Sequence, residues 1–377
     1  MEYSKVAHRD TVLLTVTDPE KDTAALDRAA AILKNGGLVA LPTETVYGLG
    51  ANALDPQAVK NIFLAKGRPQ DNPLIIHIVD PQQAQLYAKD IPPVYYELCR
   101  RFSPGPLTVI LPKREIIPME TSGGLETVAI RIPSHPVARE IIRRAGVPVA
   151  APSANLSGSP SPTTAEHCVH DLWGRVDAIV DAGECSVGVE STVISLAAKP
   201  PLLLRPGAVT PAQLREFLPD LVVHHAVTDK LQQNERADSP GMKYKHYAPK
   251  AQITILDAGS EQFVRYVNAH AHEGLYALCF EEDAAGLKVP YISLGRDEKD
   301  QAKHLFAALR ELDEKGAKEV YARCPSRQGV GLAVYNRLIR AAAFHECDLN
   351  EETQAPSDQN SEAGVPAAGT SFEKRKA

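Results

Sequence analysis

No stretch of this 377-residue chain approaches the ~20 consecutive apolar residues that a membrane-crossing helix requires. Residues Met1 to Asp10 are mixed in charge and lack the apolar core of a secretory signal, so a cytoplasmic protein is expected. The six cysteines (Cys99, Cys168, Cys185, Cys279, Cys324 and Cys347) include no Cys-x-x-Cys pair and no histidines at zinc spacing. Reduced, structural thiols are the expectation. A net charge of −6 lacks the basic surplus that coating nucleic acid demands, which leaves room only for a local basic pocket. No Gly-x-x-x-x-Gly-Lys-Ser/Thr loop occurs, so any nucleotide must be held by side chains. No Ser/His/Asp or Cys/His set stands at a spacing that supports covalent catalysis.

What remains is an ordinary globular composition, 44% hydrophobic and 23% charged, long enough for two compact units. We divide it into a first domain over 11–210, a linker over 211–250, a small α/β domain over 251–347 and a polar tail, 348–377, too poor in apolar residues to fold. In the first domain Leu26, Ala29, Ala30 and Leu33 recur at helical spacing until Gly36-Gly37 stops them. A strand over 38–41 follows, and Asp55 caps a second helix opened by Pro56. Short β-branched runs at 74–79, 107–111, 127–132, 147–150 and 178–180 predict strands, broken by many prolines and accompanied by only a few helices. A mixed α/β sheet with irregular connections is expected. From 252 onward, strands near 253–256, 275–280, 289–294 and 319–323 alternate with helices near 261–271, 300–312 and 330–344, the pattern of a mostly parallel sheet.

Four clusters carry chemistry. The first, Pro42-Thr-Glu-Thr-Val-Tyr-Gly-Leu-Gly50, runs into Gly48-Leu-Gly-Ala-Asn-Ala53, which matches a loose dinucleotide fingerprint with Asp71 downstream, but the helix opens only at Asp55-Pro56. A tight turn after the preceding strand is the expected use of its glycines. In the second, Lys66 and Arg68 end a helix before the turn Pro69-Gln-Asp-Asn-Pro73, where they complement the helix dipole or hold an anion. The third, Ala151-Pro-Ser-Ala-Asn-Leu-Ser-Gly158, ends a buried strand in small and hydroxyl residues: a self-satisfied turn, or a place for a ligand to approach backbone. The fourth, Gly188-Val-Glu-Ser-Thr-Val193, offers a carboxylate and two hydroxyls. Arg131, in an apolar strand, needs an anionic partner, with Glu190 or Glu44 as the structural choices, and Arg205 is similar. His77 taken alone reads as a packed histidine.

Together with the linker block Ser239-Pro-Gly-Met-Lys-Tyr-Lys-His-Tyr-Ala-Pro249, these motifs resemble the YrdC-like family of threonylcarbamoyl-AMP synthases in its long, two-domain form. The resemblance implies a twisted, mixed, open α/β sheet of the YrdC-like type with a concave ligand face, followed by a small Rossmann-like α/β domain. It implies synthesis of threonylcarbamoyl-AMP and pyrophosphate from L-threonine, bicarbonate or CO2, and ATP with Mg²⁺, for the N6-threonylcarbamoyladenosine modification of tRNA. By position, Lys66 and Arg68 are the implied catalytic and phosphate-holding residues. Thr127, Ser153, Asn155, Ser161, Arg205 and Tyr247 would complete the nucleotide side. Thr43, His77, Arg131, Ala151 and Ser191 would meet threonine, with no protein side chain assigned to a metal. A monomer that passes its product to a threonylcarbamoyl transferase is implied. A module binding double-stranded RNA or tRNA is the alternative function, and a dinucleotide oxidoreductase rests on the Gly48 fingerprint alone.

Overall fold

The computed structural model describes residues 8–70, 72–229 and 247–350. Asp71, the linker residues Lys243, Lys245 and His246, and the tail from 351 lie outside the described residues.

Among the described residues, the first sheet is built from β1 (Val12–Thr15), β2 (Val39–Leu41), β3 (Gly48–Asn52), β4 (Ile75–His77), β5 (Leu107–Pro112), β6 (Thr127–Arg131), β7 (Val149–Ala150), β8 (Ala178–Asp181), β9 (Thr192–Ser195), β10 (Leu202–Arg205) and β11 (Val222–Val223). Their order is β1-β8-β2-β3-β7-β4-β6-β5-β9-β10-β11, an open sheet mixing parallel and antiparallel pairs. The second sheet, of β12 (Gln252–Asp257), β13 (Leu275–Cys279), β14 (Tyr291–Ser293), β15 (Glu319–Arg323) and β16 (Glu346–Asp348), runs β14-β13-β15-β12-β16 and is parallel throughout. Strand β16 and the buried Leu349 carry the ordered second domain past the tail boundary drawn at 348.

Two sequence expectations about the first domain change. Its helices are more numerous than the strand-rich pattern predicts, for Pro93–Phe102, Pro136–Ala145 and Ala165–Leu172 are all helical. Each opens with a cap or proline and buries an i, i+3, i+4 stripe, such as Val137, Ala138, Ile141 and Ile142. Gly48 and Gly50 do not form a turn; they lie inside β3, antiparallel to β2. A Cβ on Gly50 would stand 2.7 Å from the Leu41 side chain and 3.0 Å from that of Val149, so the missing side chain lets strands and side chains close up.

Strand alternation separates two faces. On one, Ala40, Ile76, Ile130 and Ile194 pack beneath the helices Pro56–Lys66, Pro93–Phe102 and Ala165–Leu172. On the other, the helices Thr23–Lys34 and Pro136–Ala145 share an apolar cluster with β2, β7 and β8. Farther along that second face, over β4, β6, β5 and β9, the side chains of Ile75, His77, Arg131 and Ser191 border a cleft instead. The second domain stands beside it, its helix Glu298–Glu314 joining Val46 and Val189 of the first domain in one apolar cluster.

Candidate active site

The cleft spans about 780 Å³ counted out to its mouth, open solvent included. Lys66 enters at the end of its helix, where the Asp55 carboxylate caps the first turn and Gly67, at φ +62°, closes the last. Its ammonium is buried and donates to the Ser153 and Asn155 carbonyls, the latter at 2.6 Å, and to Asn155 Oδ1 at 3.3 Å. Burial, then Arg68, holds its pKa well below the usual lysine range. Arg68 is half-buried beside the Phe63 ring, 5.9 Å from its centroid.

The small-residue loop is therefore pinned by a cation. Ser153 Oγ donates to Asn155 Oδ1 at 2.6 Å, and the Asn155 amide donates to the Leu156 and Ser159 carbonyls, both at 2.8 Å. The two local readings of this loop merge: its polar side chains satisfy its own backbone and also line the cleft. Ala151, whose N–H donates to Ile75 O at 3.1 Å, carries the sheet into that loop.

On the opposite wall Thr43 is folded into its own turn, donating to Val46 O at 2.6 Å and accepting from the Thr45 and Val46 N–H groups. Register brings His77 of β4 and Thr108 of β5 to either side of Arg131 in β6. The Arg131 guanidinium lies 2.9 Å from Glu44 Oε1, close enough for an ion pair though not aligned as a hydrogen bond. Of the two acids the sequence offered, Glu44 is the partner. His77 Nδ1 has no hydrogen-bond partner among the described residues, and burial followed by Arg131 pushes the imidazole down to about 3, so it is neutral at pH 7.

Glu190 belongs to another arginine. Arg337, fully buried in the second-domain helix Gly331–Ala341, donates to Glu190 Oε2 at 2.9 Å, while Ser161 Oγ donates to Glu190 Oε1 at 2.7 Å. Burial alone would raise that carboxyl; Arg337 and Arg205 outweigh it and hold it at about 2. Ser191 Oγ lies 2.7 Å from Thr108 Oγ1 and accepts from Arg205 at 3.1 Å. Arg205 also donates to Ser191 O at 3.0 Å, and burial brings it down to about 10. Tyr247, at φ +63°, lies buried between the cleft and Phe306, with ring centroids 5.0 Å apart. The neighbouring Ala248 N–H donates to Gly158 O at 3.1 Å, tying the linker's end to the small-residue loop.

The cleft thus gathers Thr43, Lys66, Arg68, His77, Arg131, Ala151, Ser153, Asn155, Ser191, Arg205 and Tyr247. Two expected contacts stand outside its lining. Ser161 is wholly buried behind Glu190, and Thr127 opens β6 at the end opposite Arg131, about 13 Å along the strand. Glu190 and Arg337 are the residues that sequence reasoning did not bring together. They are 147 positions apart, and the one available signal was an arginine inside a helix whose residues are all buried.

Both carboxylates among the described cleft residues, Glu44 and Glu190, are engaged by arginines. Among the described residues, the cluster Asp257, Cys324 and Glu346 lies in the second domain, where Arg327 spans both its acids. No helix among the described residues is long and apolar enough to cross a membrane.

A family model described as telomere recombination matches residues 31–207, and one described as threonylcarbamoyl-AMP synthase, C-terminal domain, matches 209–343. The chain is 45% identical to the threonylcarbamoyl-AMP synthase of Pyrococcus abyssi over 327 residues, 84% of this chain and 93% of that one. To the Bacillus subtilis protein of the same name it is 46% identical over 335 residues, 87% and 94% of the two. The solved P. abyssi Sua5 in complex with L-threonine superposes with a TM-score of 0.83 at 41% identity, covering 90% of this chain and 99% of that one.

Proposed function

Because the chain belongs to the Sua5/YrdC family of threonylcarbamoyl-AMP synthases, in its two-domain form, we propose that the cleft between β4 and β9 is where it performs that family's reaction. It is an enzyme that makes threonylcarbamoyl-AMP, a precursor for tRNA modification. The observation that carries the assignment of the site is the meeting of Lys66, Arg68, Arg131 and Arg205 with the hydroxyls of Thr43 and Ser191 around one opening.

The substrates are L-threonine, bicarbonate or CO2, and ATP. The neutral threonine amine adds to CO2 and loses a proton to give a carbamate. A carbamate oxygen then attacks the α-phosphorus of ATP, and the bond to the β-phosphate oxygen breaks to release pyrophosphate. Two anions must meet, so the barrier is set by repulsion and orientation more than by a missing nucleophile. Arg131 takes the threonine carboxylate beside Glu44, and Thr43 and Ser191 meet the substrate's polar groups. Lys66 fixes the small-residue loop, and with Arg68, Ser153, Asn155, Arg205 and Tyr247 it surrounds the nucleotide. With Glu44 and Glu190 engaged by arginines, Mg²⁺ would be held by the nucleotide and would supply charge neutralisation at the leaving pyrophosphate.

The product is a labile mixed anhydride, so it passes to a cytoplasmic threonylcarbamoyl transferase that acts on tRNA. The test is pyrophosphate release from ATP with Mg²⁺, measured with and without L-threonine and bicarbonate, together with a mass spectrum of the nucleotide product. Release that requires both co-substrates, with the threonylcarbamoyl-AMP mass, is expected. Release independent of threonine, or none from folded protein, would sink the reading.

A further inference from the structure

Among the described residues, the second domain comes nearest the Ser191–Arg205 contact through Arg337. Arg337 is completely buried, and its guanidinium fork ends on the residues that flank the Ser191–Arg205 contact. It donates to the Glu190 carboxylate at 2.9 Å and to the Glu190 carbonyl at 3.2 Å, one residue before Ser191. It donates also to the Pro206 carbonyl at 2.6 Å, one residue after Arg205, and Asn336 Oδ1 holds the same nitrogen at 3.0 Å. A single cation thus bridges the backbones of two strand ends and neutralises a carboxylate that lines the cleft.

We propose that Arg337 is a positioning residue of the active site: the second domain uses it to hold Ser191 and Arg205 in place and to neutralise Glu190 in a cleft that must admit anions. This rests on the reading of the cleft as the threonine and nucleotide site. The physical argument has two parts. A planar fork with four bonds fixes the separation of the two strand ends in a way that a point charge cannot. Without it, Glu190 stands in the cleft wall as a buried carboxylate whose remaining cation is Arg205, and the arginine assigned to substrate is drawn into a structural pair. Arg310 makes a parallel connection on the far side of the junction, donating to both Asp171 oxygens at 3.0 and 2.8 Å and to Pro160 O at 2.6 Å. Asp171 in turn accepts from the Leu156 N–H of the small-residue loop at 3.2 Å. Both walls of the cleft are therefore fastened to the second domain.

The test compares three substitutions in the full-length chain: Arg337→Met, Arg337→Lys and Lys303→Met. The last removes another junction ion pair, to Glu184 at 3.3 Å, that does not touch Glu190. KM for L-threonine and for ATP is measured by threonine-dependent pyrophosphate release, with a melting curve for each variant. Arg337→Met is expected to raise at least one KM by about tenfold or more, Arg337→Lys by less, and Lys303→Met by no more than about twofold. KM values within twofold of the parent in Arg337→Met would overturn the proposal, as would an equal rise in Lys303→Met, which marks general loosening of the junction. If Arg337→Met does not fold, Arg337→Lys against Lys303→Met decides by the same criterion. A parent chain without threonine-dependent release defeats the reading of the cleft, and this inference with it; that failure is told apart because it lies in the unsubstituted protein.

Discussion

The two sheets place their buried charge differently. The first sheet keeps Lys66, Arg131 and Arg205 around its own cleft, whereas the second domain directs Arg310, Arg337 and Arg340 outward into the junction. The parallel second sheet is regular because helices cover it with apolar side chains, as in Phe263, Phe306 and Leu309. The first sheet is irregular where it works: mixed strand directions bring loops from both ends of its strands to one opening, and the second domain supplies countercharge from outside. A domain with an ordinary core can therefore serve a catalytic one by lending it charged side chains.

The largest effect should come from separating the two. Ending the chain after Thr228 removes Tyr247, Arg310 and Arg337 and leaves Glu190 and Asp171 without their arginine partners. Losing one side of a buried ion pair costs about 3–5 kcal/mol, so turnover should fall on the order of 100-fold or more. Full activity in the shortened protein would show that the first domain needs no charge from the second. Within the cleft, Arg205→Ala deletes both bonds to Ser191, and kcat/KM should drop about 100-fold, read from initial rates across substrate concentrations.

Selectivity sharpens the contrast further. Ser191→Ala should reduce the preference for threonine over valine about tenfold, because an unpaired buried polar group costs about 1–3 kcal/mol. An unchanged Thr/Val ratio of specificity constants would assign the hydroxyl to the Thr108 and Arg205 network alone. In the second domain's own core, Phe263→Ala should cost about 3–5 kcal/mol in denaturant melts yet leave both KM values unaltered, since its cluster is remote from the cleft.

The smallest effect is a pH dependence. His77 is neutral in the folded protein down to about pH 3 but titrates near the ordinary histidine value of 6.5 when unfolded. Between these values the unfolded state binds the extra proton, so stability is lost as pH falls from 6.5, by about 1 kcal/mol per pH unit. His77→Gln should flatten the stability slope between pH 5 and 6.5 by that amount.

Much of the architecture is legible in the chain because it follows local rules. Asp55-Pro56 caps its helix, and the strand at Glu319–Arg323 is bounded as its alternation predicts. The helix Pro136–Ala145 is equally periodic, with Ile141 and Ile142 on its buried face, but the β-branched runs on either side of it carry the stronger strand signal. Gly48 and Gly50 are ambiguous for a different reason: glycine marks a turn or a close approach, and only the neighbours Leu41 and Val149 decide which.

Most element types and the order of the two α/β units could be read from the chain alone, since periodicity and caps are properties of adjacent positions, while the candidate site residues followed from motif wording through its family resemblance. Tertiary structure alone decided the pairing: Glu44 with Arg131, Glu190 with Arg337, Asp171 with Arg310, and Ser161 and Thr127 outside the opening. Ion pairs depend on distance and burial, not on separation along the chain, and a carboxylate that could satisfy any of several arginines takes the one that the packing of sheets and helices brings within about 3 Å.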